Sequence, residues 1–387
     1  MNVAVYIARP GSAIGGGINS GVILAQALSR LHRVEIVLPA HQKAYWDRDR
    51  LATFSGASLS AVSLRYAARE PHPFGRSWNP WRRYQEARAW HSTLSEPYDI
   101  FINFTDEIPP FCGAPIGVLY VLFAADPFAN ASVIGRGLRR LLYRWECKRR
   151  FNRYQLKLAD SRYTQEWAKR RWGIDCQILY PPGDIEFRVG DDKENMILSV
   201  GRFHITGHAK KQLQMVTAFS QMEAQLQGWE YVCVGGLGHR SEDHAYFESV
   251  RRAGARCRAR VLANLKREDL KRFYEKAKIF WHAAGYGDDV SRFPGLAEHF
   301  GMVTVEAMGA GCVPVVINLG GQPEIVQHGV NGFLWDSLDE LKGYTMLLAR
   351  DDRLRAQMAE AARARARFFS RETYVERFLK LLQPSLS

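Results

Sequence analysis

The chain has 387 residues, a length typical of two domains of ordinary size. Its hydrophobic fraction of 47% and aromatic fraction of 12% provide for a substantial core in each, which excludes a largely disordered protein. The net charge of +13 indicates an anionic partner, such as nucleic acid, anionic lipid or a phosphorylated substrate.

Strand-like and helix-like segments alternate through the first half, which is the pattern of βαβ units and a parallel sheet. Helices are predicted from about Asn19 to Leu31 and from Arg136 to Leu156. The predicted strands are Val3–Ala8, Val34–Leu38, Ser58–Leu64, Ile100–Asn103, Val118–Phe123 and Lys157–Asp160.

The segment Tyr180–Asp184 contains two prolines and a glycine and is predicted to link two domains. The same alternation restarts after it, so we expect an α/β protein with two doubly wound parallel sheets. The second set of strands is Met196–Val200, Tyr231–Val234, Arg256–Arg260, Ile279–His282, Val313–Ile317 and Phe333–Trp335. The last helices predicted are Leu341–Arg350, Arg353–Arg367 and Glu372–Leu382.

No signal peptide or transmembrane segment is predicted, because the chain begins with a strand-like stretch and has no long apolar run. The six cysteines are scattered without a C-x-x-C pair, which is typical of reduced thiols in a core. We therefore expect a cytoplasmic protein, with peripheral contact at the inner face of the membrane as a further expectation.

Basic residues concentrate in two regions, Arg65 to Arg88 and Arg136 to Lys157. The second region reads as a basic amphipathic helix. It either packs through its leucines with a solvated arginine face, or contacts a membrane surface or a polyprenyl-phosphate acceptor. No nucleic-acid-binding module is recognised, so no nucleic-acid partner is expected.

Two carboxylates, Glu298 and Glu306, stand eight residues apart around a glycine turn. Apolar side chains recur at positions 302, 305 and 308, which predicts a helix that carries Glu306 and begins after Gly301. A helix N-terminus offers free N–H groups to a phosphate. Carboxylates on both sides of a phosphate bound at this helix N-terminus would accept hydrogen bonds from the hydroxyls that flank a diphosphate, as in a nucleotide sugar.

Arg202 and Lys210 follow a predicted strand and enter the next helix, where two cations can neutralise a diphosphate. Fixed positive charge there would stabilise a diphosphate that gains charge as it departs. His282, at a strand end, either lines the nucleotide pocket or is simply packed there.

The glycines Gly15–Gly17 follow the first strand and allow backbone to approach a ligand closely. They do not form G-x-G-x-x-G, and the second strand ends in apolar residues rather than an acidic one, which counts against a dinucleotide site. No metal site is predicted, because Asp288, Asp289 and the histidines show no recognised ligand spacing.

Several motifs in the second half resemble those of one enzyme family. Glu298 to Glu306 matches an E-x7-E signature, and Ala307–Val316 is similar to the run that follows it. Further matches are Ser199–Phe203 with Lys210 and Ala218-Phe219, then Gly320–Val326 and Gly329–Leu334. Together they resemble the retaining glycosyltransferases of the GT-B fold in the family numbered four.

The resemblance implies two Rossmann-like domains that face each other across a cleft. Residues 1–184, completed by a C-terminal helix at about 370–387, would bind the acceptor, and residues 185–369 would bind the donor. The reaction implied is transfer of a hexose from a nucleoside-diphosphate sugar to a hydroxyl of a glycan, lipid-linked or small-molecule acceptor, with retention and without a metal or cofactor. A role in cell-surface polysaccharide or glycoconjugate biosynthesis is expected.

The resemblance also assigns roles to individual residues. Glu298 would contact the transferred sugar, Glu306 the ribose, and Arg202 and Lys210 the diphosphate. The other donor-binding candidates are Gly16, Gly17, Lys211, Gly236, His282, Phe300, Gly301, Met302 and Val303.

One departure from the family lies in the first half, where Leu122 stands at the place of a histidine found in many relatives. Asp126 is the catalytic candidate in its place, and Asp106 and Glu107 are weighed beside it. Three alternatives stay open: another nucleotide-sugar enzyme of this fold such as an epimerase, a Rossmann oxidoreductase, and a binding module that has lost its chemistry.

Overall fold

The computed structural model describes residues 1–8, 16–67, 94–126, 147–188, 193–205 and 207–385, with the single positions 85, 90, 145 and 190. The chain divides into two compact units. Met1–Pro181 with Tyr374–Ser387 form the N-terminal unit, and Pro182–Thr373 form the C-terminal unit.

The sheet of the N-terminal unit is parallel and has the strand order β3-β2-β1-β4-β5-β6-β7. The order reverses between β1 and β4, so the sheet is doubly wound. Its strands are β1 Asn2–Ile7, β2 Arg33–Pro39, β3 Val62–Ala67, β4 Ile100–Thr105, β5 Ile116–Val121, β6 Leu156–Ala159 and β7 Gln177–Ile178. The helices described in full are α1 Gly16–Leu28, α2 Arg48–Ser55 and α3 Arg162–Trp172.

The sheet of the C-terminal unit is also parallel, in the order β10-β9-β8-β11-β12-β13. Its strands are β8 Glu194–Val200, β9 Glu230–Gly235, β10 Ala259–Ala263, β11 Ala277–His282, β12 Val313–Ile317 and β13 Phe333–Trp335. The helices are α4 Gln212–Met222, α5 Ser241–Gly254, α6 Arg267–Lys276, α7 Met302–Gly309, α8 Gln322–Ile325, α9 Leu338–Arg350 and α10 Asp352–Ala366.

The last helix, α11 Arg371–Leu382, packs on the N-terminal unit. Its buried residues Tyr374, Phe378 and Leu382 recur every four positions, so they lie on one helical face. This face joins the core cluster that β1 and α1 build on one side of the first sheet. The C-terminal residues therefore complete the first core although they follow the second unit in the chain.

Central strands of both sheets are buried on both faces, as expected for parallel sheets covered by helices. All six residues of β4 and all five of β12 are buried. Helix starts are set by local caps: Ser161 accepts from the Thr164 amide at α3, and Ser337 with Glu340 forms a capping box at α9. The predicted fold class of two doubly wound parallel sheets is confirmed.

Several predicted boundaries differ from the observed ones, and three of them are described here. Helix α1 starts at Gly16 rather than Asn19, so Gly16 and Gly17 form its first turn and are not loop residues. Strand β10 starts at Ala259 rather than Arg256, because α5 and the turn after it extend to Arg258. The strand predicted at Ser58–Leu64 is observed a few residues later, as β3 Val62–Ala67.

The predicted helix Arg136–Leu156, in the basic region Arg136–Lys157, is corrected at its C-terminal end, whereas the strand predicted at Lys157–Asp160 is observed one residue earlier as β6. Residues 136–144 and 146 lie outside the described part, while Trp145 and residues 147–151 are helical. The chain then turns, and Lys157 lies in β6. The alternation of Leu156, Lys157 and Leu158 suits a strand, and β6 pairs with β5 along this stretch. In the other basic region Arg65 is described, and its Nε lies 3.1 Å from Glu35 Oε2.

Candidate functional site

The centre of the candidate site is the carboxylate of Glu298, which lies in the loop before α7. Its Oε2 is 2.5 Å from Lys210 Nζ and 2.7 Å from His282 Nε2, at the carboxyl end of β11. His208 Nε2 is 3.6 Å away. The side chains of Glu298 and Lys210 are only 12% and 13% exposed, so this charge pair is largely removed from water. We call these four residues the Glu298 cluster.

The Glu298 cluster holds one negative and one positive charge near neutral pH. Burial opposes ionisation of Glu298, but Lys210 and the two histidines outweigh it and hold its pKa well below the usual range. Burial and the Lys210 charge lower the pKa of His208, and burial lowers that of His282. A neutral His282 must carry its proton on Nε2, because the carboxylate of Glu298 can only accept.

Lys210 and Lys211 stand at the start of α4, where the backbone is unusual. Lys211 has φ 58°, in the left-handed region, and the helix has no side-chain cap. Lys211 Nζ is paired with Asp288 Oδ1 at 2.7 Å. The Gln212 side chain donates to the carbonyls of Gly201 and Arg202, which ties the helix start to the end of β8. In the first turn the Leu213 amide donates to Tyr246 Oη at 3.2 Å, and two lysines stand at this helix N-terminus.

Arg202 and Gly236 meet at the carboxyl ends of β8 and β9. The Gly201 amide donates to the Val234 carbonyl, and the Phe203 amide donates to the Gly236 carbonyl. A Cβ on Gly236 would lie 3.6 Å from Arg202 Cγ. Arg202 is exposed, and within the described residues its guanidinium has no ion-pair partner. A cation with these properties remains available to an anionic ligand.

Gly301 caps α7 with φ 120°, a conformation that favours glycine. No side chain caps this helix, so the first amides of α7, including those of Met302 and Val303, are not used by a cap. A Cβ on Gly301 would lie 2.7 Å from the Gln322 side chain. Phe300 itself is buried.

The Gly320–Gly321 loop packs closely against the backbone of Glu298 and His299. A Cβ on Gly320, which has φ +65°, would lie 2.0 Å from the Glu298 carbonyl oxygen. A Cβ on Gly321 would lie 2.4 Å from the His299 carbonyl oxygen, and the Gly321 amide donates to the Glu298 carbonyl. These glycines therefore fix the backbone that carries Glu298.

Glu306 lies in α7, and its carboxyl group differs from that of Glu298. Tyr274 Oη donates to Glu306 Oε2 at 3.1 Å. Burial and the nearby charge of Asp184 raise the pKa of Glu306 to about 7. Asp184 is itself paired with Arg267 and with Lys271, which hold its pKa below the usual range in spite of its burial. The pKa values of the two glutamates of the motif are thus shifted in opposite directions, that of Glu298 downward and that of Glu306 upward.

The candidates in the N-terminal unit follow its strands. Asp126 lies five residues after β5, and Thr105 Oγ1 at the end of β4 accepts from the Glu107 amide at 3.0 Å. A Cβ on Gly17 would lie 2.5 Å from Leu122 Cδ1, so Leu122 packs directly on the first turn of α1. The glycine and the leucine that stands at the family's histidine position are neighbours.

Sequence reasoning missed His208, Tyr274 and the Asp184–Arg267 pair. Asp184 falls in the predicted linker, and Tyr274 and Arg267 come from a segment without a motif. His208 lies two residues before Lys210, so its nearness to a predicted cation is the one signal that the sequence offered. Among the described residues, no group of three or more His, Cys, Asp or Glu side chains is arranged to hold a metal ion.

Comparison with known proteins shows that part of this chain is similar to one family. The family model "Glycosyl transferases group 1" matches residues 184–365, which include Arg202, Lys210, Glu298 and Glu306. Residues 184–365, a little under half of the chain, are therefore similar to this family of glycosyltransferases.

Two curated relatives are mannosyltransferases. The GDP-Man:Man(3)GlcNAc(2)-PP-Dol alpha-1,2-mannosyltransferase of Dictyostelium discoideum is 25% identical over 235 residues, which are 57% of this chain and 44% of the relative. The human alpha-1,3/1,6-mannosyltransferase ALG2 is 27% identical over 248 residues, 58% of this chain and 57% of the relative. The chain thus spans about half the length of these relatives.

Solved glycosyltransferase structures share the fold over the whole chain. Anabaena Alr3699/HepE in complex with UDP and glucose has a TM-score of 0.69 at 16% identity, and covers 99% of this chain and 100% of its own. WaaG, a glycosyltransferase involved in lipopolysaccharide biosynthesis, has a TM-score of 0.63 at 18% identity, with 97% of both chains covered. The predicted GT-B fold is confirmed. In the described residues no helix is long and apolar enough to cross a membrane.

Proposed function

We propose that the protein is a retaining, metal-independent glycosyltransferase that moves a hexose from a nucleoside-diphosphate sugar to an acceptor hydroxyl. Residues 185–369 bind the donor, and residues 1–184 with the C-terminal helix bind the acceptor. The observation that carries the proposal is the Glu298 cluster, a buried ionised carboxylate held by Lys210 and His282 inside the region that is similar to the group 1 family.

The diphosphate of the donor is held by positive charge at two strand ends. Arg202 supplies an exposed cation at the end of β8, and Lys210 supplies a second one beside the start of α4. The uncapped first turn of α7 adds backbone N–H groups. Because the leaving diphosphate gains negative charge as the glycosidic bond breaks, these groups stabilise the transition state more than the bound donor.

The two glutamates hold hydroxyl groups on either side of the diphosphate. Glu298 contacts the transferred sugar and stabilises the oxocarbenium-like centre, since its low pKa keeps it ionised. Glu306 accepts the ribose hydroxyls, and Tyr274 orients its carboxyl group. His282 and Gly236 line the same donor pocket, in which His282 positions Glu298.

Transfer with retention follows a front-face path in this proposal. The bond between the anomeric carbon and the phosphate oxygen breaks, and the acceptor oxygen bonds to that carbon from the same face. The acceptor proton passes to the departing phosphate oxygen. No protein base is obligatory, and Asp126 serves to position the acceptor. Lys210 and Arg202 fill the cationic role that a metal fills in other glycosyltransferases.

The acceptor is a glycan or a polyprenyl-phosphate-linked molecule, and the product belongs to cell-surface polysaccharide or glycoconjugate biosynthesis. Support comes from a relative whose name includes a PP-Dol-linked glycan. Relatives named D-inositol 3-phosphate glycosyltransferase favour a small-molecule acceptor as the alternative. The proposed place of action is the cytoplasm, with peripheral contact at the inner face of the membrane through the basic region Arg136–Lys157.

A panel of nucleoside-diphosphate sugars, offered without acceptor, tests the proposal. One donor should be hydrolysed slowly and should raise the unfolding temperature, and the Glu298→Gln variant should lose the hydrolysis. Glu360→Gln, at an exposed position of α10, is the matched control and should behave as wild type. Stabilisation by NAD(H) alone would overturn the proposal in favour of an oxidoreductase.

A further inference from the structure

His208 is the member of the Glu298 cluster that has no task in the proposed transfer. It lies between β8 and α4, in the segment that leads to Lys210. Its Nε2 is 3.4 Å from Lys210 Nζ and 3.6 Å from Glu298 Oε2. Its side chain is 19% exposed, so these contacts are largely shielded from water. A polar ring this close to a buried ion pair affects how the pair is oriented.

The backbone before α4 turns His208 towards Lys210. Gly207 has φ +67°, and the Ala209 amide donates to the Gly207 carbonyl at 2.9 Å, which makes a three-residue turn around His208. A Cβ on Gly201, just after β8, would lie 2.6 Å from Lys210 Cγ, so the stem of the lysine packs there. The turn and the packed stem bring two side chains, two positions apart, to one carboxylate.

The plane of the His208 ring is set by His299. The two rings are stacked, with their centroids 5.1 Å apart and an angle of 10° between their planes. His299 directly follows Glu298, so the ring that supports His208 belongs to the same loop as the carboxylate. In this plane the Nε2 edge of His208 faces Lys210.

The neighbouring charges decide which nitrogen of His208 carries its proton. Burial and the charge of Lys210 keep the pKa of His208 well below its ordinary range, so the ring is neutral near pH 7. Since an ammonium can only donate, Nε2 is the acceptor and the proton is on Nδ1. The 3.6 Å from Glu298 is too long for a hydrogen bond. His282 has the opposite tautomer, because its Nε2 faces the carboxylate of Glu298.

Lys210 is thereby held by two acceptors. An ammonium has three N–H groups. In the described part of the chain, one of them is donated to Glu298 and one to His208. The third remains for a phosphate oxygen of the donor. A lysine held by Glu298 alone could rotate about that contact, whereas two contacts fix the direction of the third N–H.

We propose that His208 is a positioning residue, whose Nε2 accepts from Lys210 and directs the remaining N–H of the ammonium at the departing diphosphate. This inference rests on the proposed function. The orientation of Lys210 matters most in the transition state, where the diphosphate gains charge. Loss of the acceptor leaves the charges of Lys210 and Arg202 in place, so it should lower kcat more than it weakens donor binding.

The tautomers can be measured without any donor. Long-range 1H–15N spectra of the full-length protein, with its 11 histidines labelled with 15N, report which nitrogen of each neutral ring is protonated. At pH 7 the signal lost in His208→Gln should show a proton on Nδ1, and the signal lost in His282→Gln should show one on Nε2. A charged His208, or a His208 with its proton on Nε2, would overturn the proposal.

Two substitutions separate the nitrogen of His208 from its ring. His208→Phe keeps a ring against His299 but removes the acceptor, whereas His208→Gln loses the ring and supplies an amide oxygen that can accept from Lys210. The kcat for donor hydrolysis should fall about 10-fold in His208→Phe, the low end for a hydrogen bond to a charged group. His208→Gln should recover most of this loss, and the donor Kd should change less than kcat in both.

His41→Phe is the matched control, because it makes the same substitution at an exposed position of the N-terminal unit, and it should behave as wild type. Equal kcat in His208→Phe and His208→Gln would overturn the proposal, and so would a loss that appears in Kd rather than in kcat. A lower unfolding temperature in both variants without a difference in kcat would show that His208 only supports the fold. Absence of donor hydrolysis in the wild type would refute the proposed function itself, and the role of His208 in the reaction with it, even where the spectra show the expected tautomers.

Discussion

Lys210 Nζ and Glu298 Oε2 are 2.5 Å apart in the folded protein although the two residues are 88 positions apart in the chain. The pair joins the start of α4 to the loop before α7, and both side chains are largely buried. In the proposed mechanism the lysine serves the diphosphate and the glutamate serves the sugar. The same ion pair therefore keeps Glu298 ionised and both side chains in place before the donor arrives.

Removing the carboxylate should abolish most of the activity. In Glu298→Gln the amide oxygen can still accept from His282, but no negative charge faces the sugar. We expect kcat for donor hydrolysis to fall about 100- to 1,000-fold, as for loss of one electrostatic group at a reacting centre. Steady-state kinetics measures this, with Glu360→Gln as the control. Wild-type kcat in Glu298→Gln would contradict the assigned role.

Removing the lysine should destabilise the fold. Lys210→Met leaves Glu298 buried without its main counter-charge, and loss of one partner of a buried pair costs about 3–5 kcal/mol. Urea unfolding should show this loss, and Lys210→Met with Glu298→Gln should recover most of it. If the double variant were as unstable as the single one, the two charges would not be coupled.

Glu306 should make stability depend on pH. Its pKa is about 7 in the folded protein against an ordinary 4.5, so its contribution to the free energy of unfolding is complete below pH 4.5 and is lost as the pH rises through 7. Relative to Glu306→Gln, the wild type should lose no more than about 3 kcal/mol over this interval. Chemical unfolding at several pH values tests this. Parallel curves for the two proteins would show that Glu306 has an ordinary pKa.

Alanine at Gly320 tests whether the Gly320–Gly321 loop holds the backbone of Glu298 in place. Alanine at Gly329 is the control. Both have positive φ, +65° and +76°, so alanine is strained at either position. Only at Gly320 would the new Cβ also meet a backbone atom, the Glu298 carbonyl oxygen. Gly320→Ala should lower the unfolding temperature and donor turnover much more than Gly329→Ala. Equal effects of the two substitutions would mean that the close approach is not important.

The sequence predicted the parts of the structure that depend on periodicity and on local motifs. The strands Val313–Ile317 and Phe333–Trp335 were placed with their observed bounds, because short apolar runs between turns leave little freedom. The helix after Gly301 was likewise expected, since the glycine turn and the apolar spacing define it.

What the sequence could not predict depends on contacts between distant segments. His208, Tyr274 and Asp184 reach the two glutamates only through the fold, and a carboxyl pKa depends on those neighbours rather than on the motif. The contact of Leu122 with Gly17 also joins two segments that are distant in the sequence, so no local pattern could predict it. The predicted end of the basic helix at Leu156 was wrong, because the helix ends at Phe151 and Leu156 already pairs with β5 as the first residue of β6.

Arg202 provides the most direct test of donor binding in the C-terminal unit. Because it is exposed and unpaired within the described residues, Arg202→Ala should leave the unfolding temperature unchanged. The measurement is the Kd of the donor that the screen identifies, determined by calorimetry for wild type, Arg202→Ala and the control Arg353→Ala. Loss of a charge-assisted contact to the diphosphate predicts an affinity at least about 10-fold lower in Arg202→Ala only. Equal donor affinity in all three proteins would contradict the placement of the diphosphate at the ends of β8 and β9.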